Sequence, residues 1–402
     1  MKQLGKIKHS IRQWAKRKRV ALIVSLFNML ILSLLSYILN NQSVFIGEDL
    51  NQFAWMQILK NKLGIEKQVT KDSVLFVNVA YDKQLIELSD DFDIPIGNTD
   101  ITDRKKLLTF LQMLSATKKY KYIFLDVRFE KGYDVTEIDS LLFSEINSMK
   151  NIVVANHSDM ELADSILLNK SAISDYNATI FSTNFVRYRY SYDDKQSIPL
   201  YAYNELTGKN INKTGFIYTC NGRFCYNSLF LDFPIEKFNE FDDNNKKKYY
   251  NLGSDLIDCY TEQDIATLTN GKYVVIGDMI EDLHDTYSGF KPGAVITYYA
   301  FQSLMEGKHF VKTWLLILMA IVYFTISLLQ FSYRSIKERI PCVRKSKSKL
   351  IHFILSFVEY TLLLLFVAII LNLFWSISTS IILPSIYFAI QKIIIKYKRT
   401  EV

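Results

Sequence analysis

Glycine, proline, cysteine and histidine are all scarce in this sequence of 402 residues, which holds 14 Gly, 6 Pro, 4 Cys and 5 His. The low glycine and proline content excludes a collagen-like or low-complexity chain. An aromatic share of 14% excludes a chain that is disordered throughout. The few Cys and His do not stand at the spacings of metal ligands, so we predict no metal ion and no cofactor.

Charged residues are missing from four long stretches. Residues 20–39 and 313–333 carry no charge, and residues 350–373 and 377–395 carry one charged residue each. A helix of about 20 apolar residues matches the hydrocarbon thickness of a bilayer, about 30 Å. We therefore predict four transmembrane helices, one N-terminal and three C-terminal. A cleaved signal peptide is the rival interpretation of the first stretch, but that stretch is too long and no small-residue cleavage site follows it.

Basic residues concentrate beside these stretches. Residues 1–19 carry a net charge of +8, residues 334–349 carry +6 and residues 396–402 carry +2, whereas the whole chain carries +7, which leaves −9 for residues 40–312. Cytoplasmic flanks of membrane helices are rich in Lys and Arg. We predict a multi-pass protein of the inner (cytoplasmic) membrane, with both termini cytoplasmic and the large domain periplasmic or extracellular. The acidic domain argues against nucleic-acid binding.

The outer segment, residues 40–312, has the pattern of an α/β domain. Short apolar runs predict buried strands, and apolar residues at helical spacing predict the helices between them. Strands that alternate with helices through short links form a mostly parallel sheet. The predicted strands are 73–82, 121–129, 151–157 and 271–278, and the predicted helices are 103–119, 136–149 and 294–306; residues 83–89 are predicted as one or two helical turns and residues 239–251 as a polar loop.

Residues 178–233 predict an antiparallel hairpin extension of that sheet. Aromatic and polar residues alternate in the first part of this segment, which is typical of a strand with one buried face. Asn221-Gly222 then separates two alternating runs. This dipeptide is the strongest short signal for a two-residue hairpin turn, because both positions need a positive φ.

Cys220 and Cys225 flank this turn, and two interpretations of them stay open. Outside the cytoplasm, a disulfide bond between the two is one interpretation. With Asn221-Gly222 as the turn, Cys220 faces Arg223 and Cys225 faces Tyr218, so the two cysteines do not face each other. Two separate thiols are therefore the other interpretation.

Several segments together resemble a known family. They are VLFVNVAYDKQLIEL (74–88), DRKKLLTFLQML (103–114), YIFLDVRF (122–129), TEIDSLLFSEI (136–146), NIVVAN (151–156), QSIPLYAYNEL (196–206), SLFLDF (228–233) and NGKYVVIGDMIEDLHDTY with KPGAVITYYAFQSLMEG (270–307). In this order, with one apolar stretch before them and three after, they resemble the type-2 CHASE domain, the cyclases/histidine kinases associated sensory extracellular domain. The sequence departs from the family at residues 94–104 and at Thr297-Tyr298.

The resemblance implies an extracytoplasmic sensor that binds a small-molecule or protein ligand. Family members often carry a cyclase or kinase after the last span, whereas this chain ends seven residues past its last predicted span. We therefore expect a separate cytoplasmic partner to carry the signalling output. A homo-oligomer is left open, as are two other functions: a structural or scaffolding membrane protein, and, more remotely, an accessory subunit of a transporter.

Charged residues fall at or just after the carboxyl ends of several predicted strands. These are Asp82, Asp126, Asp278 and Asp285, with Arg128 beside the second. Open α/β sheets bind ligands outside the carboxyl ends of their strands, so two or more of these residues form a candidate ligand-binding crevice. The alternative for each residue singly is a helix cap or a solvated surface position.

Arg104 begins a predicted helix and matches the family's helix-starting Arg, so it joins the tentative ligand-binding set. A cation at a helix N-terminus is electrostatically unfavourable. We therefore expect it to form a structural ion pair with Asp82, with Asp126 or with nearby Asp103.

Glu359 is the acidic residue inside the predicted spans, where an ionised side chain needs a partner. We predict that it faces other helices, in a packing stripe with Leu355, Leu363 and Phe366. In the outer domain, His284-Asp285 suggests acid–base chemistry, but no nucleophile elbow, paired Glu or glycine-rich phosphate loop accompanies it. We predict a protein without catalytic activity.

Overall fold

The computed structural model describes most of the chain. The described residues are 2–41, 55, 58–60, 62–63, 73–89, 92, 94–133, 135–158, 161–175, 187–192, 195–231, 238–242, 245–286, 288–332, 348–375 and 381–400. They divide into two compact units. The α/β unit comprises residues 63–310, and the helical unit comprises residues 1–62 and 311–402. The predicted cytoplasmic loop 334–349 lies almost wholly outside the described residues.

Strands and helices are numbered along the chain. The described strands are β1 (Val74–Asn78), β2 (Lys83–Ser89), β3 (Pro95–Thr102), β4 (Tyr122–Asp126), β5 (Ile152–Asn156), β6 (Ser171–Ile173), β7 (Tyr188–Arg189), β8 (Ser191–Tyr192), β9 (Lys195–Gln196), β10 (Ile211–Thr214), β11 (Ile217–Cys220), β12 (Arg223–Phe224), β13 (Ser228–Leu229), β14 (Tyr249–Asn251), β15 (Tyr273–Gly277), β16 (Leu283–Thr286) and β17 (Gly289–Pro292). The described α-helices are α1 (Lys2–Asn41), α2 (Arg104–Thr117), α3 (Thr136–Ser148), α4 (Ile198–Thr207), α5 (Glu262–Thr269), α6 (Gly293–Met305), α7 (Thr313–Ser332), α8 (Lys349–Trp375) and α9 (Ile382–Thr400), with a 3₁₀ helix at Ser165–Lys170 and a π-helix at Leu252–Ile257.

The α/β unit is built on one six-stranded sheet with the order β14-β1-β15-β4-β5-β6. Every neighbouring pair in it is parallel. The late strand β15 lies between the early strands β1 and β4. The predicted α/β class with a mostly parallel sheet is therefore confirmed, as are the four predicted strands within it.

Both faces of the sheet are covered, because successive side chains of a strand point to opposite faces. Leu75 and Val77 join a buried cluster with helices α2, α3 and α5. Phe76 and Phe124 join the other cluster, which contains α4 and α6. This second face is rich in aromatic rings; the ring centroid of Phe124 lies 5.0 Å from that of Phe301. Strands buried on both faces read as continuous apolar runs, which is why the sequence reveals them.

Two predictions for the α/β unit are wrong. Residues 83–89 form strand β2 rather than helical turns, and β2 pairs antiparallel with β3 from Lys83↔Thr102 onwards. One turn of apolar spacing fits a short strand as well as a helix, and the pairing with β3 decides between them. The predicted loop 239–251 ends in β14, which pairs with β1 at Phe76↔Tyr249.

The predicted hairpin at Asn221-Gly222 is confirmed, but the prediction that it extends the parallel sheet is wrong, because β10, β11 and β12 form a separate three-stranded sheet. Both residues have positive φ, 48° and 75°, as the tight turn requires. Cys220 pairs with Arg223 across the turn, and the backbone N–H of Cys225 donates to the Tyr218 carbonyl at 3.0 Å. Both cysteines are buried and no disulfide bond joins them, so the structure has the separate thiols.

Arg104 is buried where α2 meets the sheet. Its helix begins here because the Asp103 side chain accepts a hydrogen bond from the Lys106 backbone N–H and so caps the helix. The Arg104 guanidinium lies 3.3 Å from Asp139 of α3 and 4.4 Å from the ring centroid of Phe129. The predicted structural ion pair therefore exists, but its partner is Asp139 and not the predicted Asp82, Asp126 or Asp103.

The helical unit contains three helices, not the predicted four, that are long and apolar enough to cross a membrane among the described residues. They are Lys18–Ile38, Thr313–Gln330 and Leu350–Ile370. The predicted fourth span, residues 377–395, is represented by the shorter apolar segment Ile382–Ile395 of α9. Its 14 residues reach only about 21 Å at about 1.5 Å per residue, because the helix begins at Ile382.

The predicted packing stripe of α8 is also wrong. Glu359 is half-buried, but Leu363 and Phe366 are 41% and 63% exposed. A helix that is apolar all round carries no amphipathic signal, so its buried side is not visible in the sequence. The buried stripe lies one residue further along and repeats every four residues: His352, Ser356, Tyr360, Leu364 and Ala368.

Removal of the Arg104 cation is expected to destabilise the α/β unit. Arg104→Met leaves the buried Asp139 carboxylate without its cation, which costs on the order of 3–5 kcal/mol of unfolding free energy. The matched control is Arg128→Met, whose cation is exposed and whose loss should cost less than about 1 kcal/mol. Urea denaturation of the full chain in detergent, followed by near-ultraviolet circular dichroism, measures both. Equal effects of the two substitutions would contradict this role of Arg104.

Candidate functional site

The candidate site is a crevice of about 670 Å³ at the carboxyl edge of the parallel sheet. Parallel pairing brings the ends of β1, β4, β5, β6 and β15 to this edge, and the residues that follow them line the crevice. The lining residues are Val79, Lys83, Thr102, Asp126, Val127, Arg128, His157, Ser158, Ser174, Asp175, Asp278, Asp282 and His284.

Asn78, at the end of β1, fixes the loops around the crevice. Its side chain is fully buried. The amide nitrogen donates to Asn251 Oδ1 at 2.8 Å, and the amide oxygen accepts from the backbone N–H groups of Ala80 and Met279. One side chain therefore joins the ends of three neighbouring strands, β14, β1 and β15.

Gly277, the last residue of β15, allows these loops to approach closely. A Cβ atom at this position would lie 2.7 Å from the Cβ of Ala294 and 3.2 Å from the Cβ of Asp126. The first distance is far below van der Waals contact, so any larger residue would displace α6 or the end of β4. Glycine here keeps Asp126 at its position in the crevice.

Two His–Asp pairs belong to the lining of the crevice. His157 Nδ1 is 3.0 Å from Asp175 Oδ1, and His284 Nε2 is 2.9 Å from Asp282 Oδ1. Burial raises the pKa of Asp175, but the hydrogen bonds from Ser158 and His157 outweigh it and hold that pKa below the usual value. Asp175 is therefore an anion that orients His157.

Asp126 has a different environment from the other carboxylates of the crevice. It accepts a hydrogen bond from the Ser174 hydroxyl at 3.3 Å. Burial, and next the negative charge of Asp282, raise the pKa of Asp126 to about 7, against the smaller opposing effects of His157, Ser174 and His284. Asp126 therefore changes its charge near neutral pH.

Three of the residues predicted from sequence meet in this crevice: Asp126, Arg128 and Asp278. Arg128 is largely exposed and pairs with Glu130 at 2.5 Å. Asp278 Oδ1 accepts from the backbone N–H groups that follow it, and its Oδ2 lies 3.5 Å from Lys83 Nζ. The predicted juxtaposition of strand-end residues therefore exists for these three.

The other three predicted residues do not line the crevice. Asp82 is buried and binds Lys106 Nζ at 2.7 Å and the Gly253 N–H at 3.0 Å. Asp285 is an exposed residue of β16, and Arg104 pairs with Asp139 as described above. Asp82 and Arg104 therefore have structural roles, in hydrogen bonds and ion pairs inside the α/β unit.

Sequence reasoning missed seven polar residues of the crevice: Lys83, Thr102, His157, Ser158, Ser174, Asp175 and Asp282. One signal was available, since His157 is the last residue of the predicted strand 151–157. His284 was paired in the sequence with the adjacent Asp285, whereas its partner is Asp282. Ser174 and Asp175 follow the three-residue strand β6, which is too short to predict.

Among the described residues, no group of three or more His, Cys, Asp or Glu is arranged to hold a metal ion. Comparison of the chain with models of protein families, with curated proteins and with solved structures found no match. The geometry of the crevice is therefore what indicates its function.

The charge of Asp126 is expected to make stability depend on pH. Because the folded-state pKa of Asp126, about 7, exceeds the ordinary value of 3.8, ionisation disfavours the folded state. This penalty is absent below about pH 4, grows as the pH rises to about 7 and is constant above that. Asp126→Asn removes the penalty. The thermal unfolding midpoint of this variant, relative to that of the wild type, should therefore rise as the pH increases from about 4 to about 7. Melting curves in detergent from pH 4 to pH 8 measure it, and a pH-independent difference would contradict it.

Proposed function

We propose that the chain is a membrane-anchored sensor. Its α/β unit binds a ligand outside the cytoplasm, and its helical unit relays the bound state to a separate cytoplasmic partner. The observation that carries the proposal is the crevice, in which Asp126, two His–Asp pairs and a Lys converge at the edge of the sheet. Open α/β sheets bind small molecules at this edge, and titratable groups with perturbed pKa values are typical of binding sites.

The resemblance to the type-2 CHASE domain supports this function. The sequence segments that carry the resemblance include those that form the late strand Tyr273–Gly277 and the helix Gly293–Met305 after it. In that family the domain senses signals outside the cytoplasm. The absence of a recognisable nucleophile or phosphate-binding loop in the sequence favours a receptor without catalytic activity.

The proposed location is the inner membrane, with the α/β unit on the outer side. The basic segments 1–19, 334–349 and 396–402 all belong to the cytoplasmic side by the positive-inside rule. The acidic segment 40–312 then lies outside. This arrangement requires an even number of crossings between the two termini, whereas three helices in the described part of the chain satisfy length and composition.

We propose that α9 is the fourth crossing, because its polar residues are satisfied inside the helical unit. Gln391 and Asn28 of α1 form a reciprocal amide pair, with N–O distances of 2.8 and 3.1 Å. The buried Lys392 donates to the Gln330 carbonyl of α7 at 3.1 Å. The polar side chains of α9 would be unfavourable in contact with lipid, and here they form hydrogen bonds with other helices. Inside a membrane, polar groups need such partners because no water is present.

The course of α9 supports the same proposal. Tyr323 of α7 bonds Ser36 near the end of α1, whereas Ser327 bonds Asn28, so α7 runs opposite to α1. Gln330, further along α7, donates to the Phe388 carbonyl of α9. From there α9 continues for 12 residues to Thr400, about 18 Å at about 1.5 Å per residue. The basic C-terminal end of α9 thus lies well beyond its contact with α7 along the helix.

Reporter fusions test the sidedness and the fourth crossing together. A reporter after Val402 should report cytoplasm if α9 crosses, and the outer side if only three helices cross. A reporter inserted at Asn245 should report the outer side, and one in the 334–349 loop should report cytoplasm. These two insertions are internal controls for the C-terminal fusion. A cytoplasmic signal at Asn245 would overturn the proposed location of the α/β unit.

The scaffolding alternative also has an observation in its favour. The ribbon β2–β3 and the residues between its strands expose large apolar side chains, among them Leu85, Phe92, Ile94 and Ile96. These four are between 58% and 82% exposed. Exposed apolar patches of this kind are typical of protein–protein contacts. A scaffold would use this ribbon and would not depend on the crevice.

Cross-linking in the host separates the sensor from the scaffold. A photo-reactive amino acid in the 334–349 loop should capture a cytoplasmic partner, and the captured yield should change in the crevice variant His157→Ala/His284→Ala. The matched control is Leu85→Ser/Ile96→Ser in the ribbon, which should leave the yield unchanged. A yield that responds only to the ribbon variant would favour the scaffold, and no capture in any variant would count against relay to a cytoplasmic partner.

A further inference from the structure

The crevice holds more carboxylates than cations. Its lining contains four Asp, two His, Lys83 and Arg128. Both cations already face carboxylates: Lys83 Nζ lies 3.5 Å from Asp278, and Arg128 lies 2.5 Å from Glu130. These contacts reduce the positive charge that the protein offers to a ligand in the crevice.

The two histidines are engaged in the same way. His157 pairs with Asp175 and His284 pairs with Asp282. Three of the four Asp residues are therefore bound to a cation or an imidazole. The fourth, Asp126, has no such contact among the described residues, and its hydrogen-bond donor is the Ser174 hydroxyl.

Ionisable groups from several elements act electrostatically on Asp126. The charge of Asp282 acts against the ionised carboxyl, while His157 and His284 favour it. The buried Tyr188 of β7 also lies within electrostatic range of Asp126. A positive group brought by a ligand would relieve the repulsion between Asp126 and Asp282.

We propose that the crevice binds a small organic cation whose ammonium or guanidinium group pairs with Asp126. This inference deepens the proposed sensor function and rests on it. Such a group donates hydrogen bonds to a carboxylate in charge-assisted geometry. Val79 and Val127 supply apolar surface for a short carbon chain, and a volume of about 670 Å³ lies within the range of small-molecule sites.

Binding of the cation is coupled to release of a proton from Asp126. At neutral pH the carboxyl is partly protonated, because its pKa is raised to about 7. A bound cation stabilises the ionised form and displaces the proton to the solvent. Affinity therefore rises with pH between about pH 6 and pH 8.

The test uses the full chain in detergent and isothermal titration calorimetry with defined probes. Agmatine carries both an ammonium and a guanidinium group, and succinate is the anionic counterpart. Agmatine should bind, and Asp126→Asn should weaken it by at least about ten-fold, since a hydrogen bond to a charged group contributes roughly 1.5–3 kcal/mol. The matched control is Asp285→Asn, an exposed carboxylate outside the crevice, which should leave the affinity unchanged.

A second measurement needs only the wild type and so does not depend on how the variant folds. Agmatine affinity should increase from pH 6 to pH 8, and the binding heat should vary with the ionisation enthalpy of the buffer. Three outcomes would overturn the cation inference. The chain binds succinate but not agmatine, it binds neither, or it binds agmatine equally well in the Asp126→Asn variant. None of these outcomes would contradict the proposed sensor function, because the cross-linking experiment tests that function and does not depend on the charge of the ligand.

Discussion

The amide of Asn78 is the interaction on which the site depends. It is buried at the end of β1 and bonds groups that follow or end three strands, including Asn251 and the backbone of Met279. A buried amide is stable only when its donors and acceptors are paired, so the loops cannot move independently of it. The walls of the crevice contributed by Val79 and Asp278 are therefore positioned by a residue that does not line the crevice.

Much of the fold was readable because the central strands are covered on both faces. Runs such as YIFLD and YVVIG combine aromatic and β-branched residues without interruption, which predicts a buried strand. The edge strands β6 and β14 have three residues each, too few for a period to appear. The ribbon β2–β3 has largely exposed faces, so its strands carry no core pattern. Pairing between distant segments decides such elements, and local sequence does not record it.

Residues of the site could be predicted from the sequence where the parallel topology of the sheet alone fixes their position. Asp126 and Asp278 sit at or just after strand ends, so the parallel topology alone places them at one edge. Asp82 also follows a strand, yet Lys106 and the Gly253 N–H draw its carboxyl into the protein. The distinction depends on Gly253, where a Cβ would lie 2.4 Å from Asp82 Oδ1. A close approach between residues 171 positions apart leaves no signal in a single sequence.

Within the α/β unit, the crevice is bonded directly to helix α6. The Asp282 carbonyl accepts a hydrogen bond from the N–H of Gly293, the first residue of α6, at 3.0 Å. The backbone of Gly277 packs closely against Ala294, the second residue of α6. A ligand that shifts the loop carrying Asp282 must therefore break this bond or move the start of α6. Because α6 ends at Met305 and the apolar helix α7 begins at Thr313, the chain offers a short covalent connection from the crevice to the helical unit.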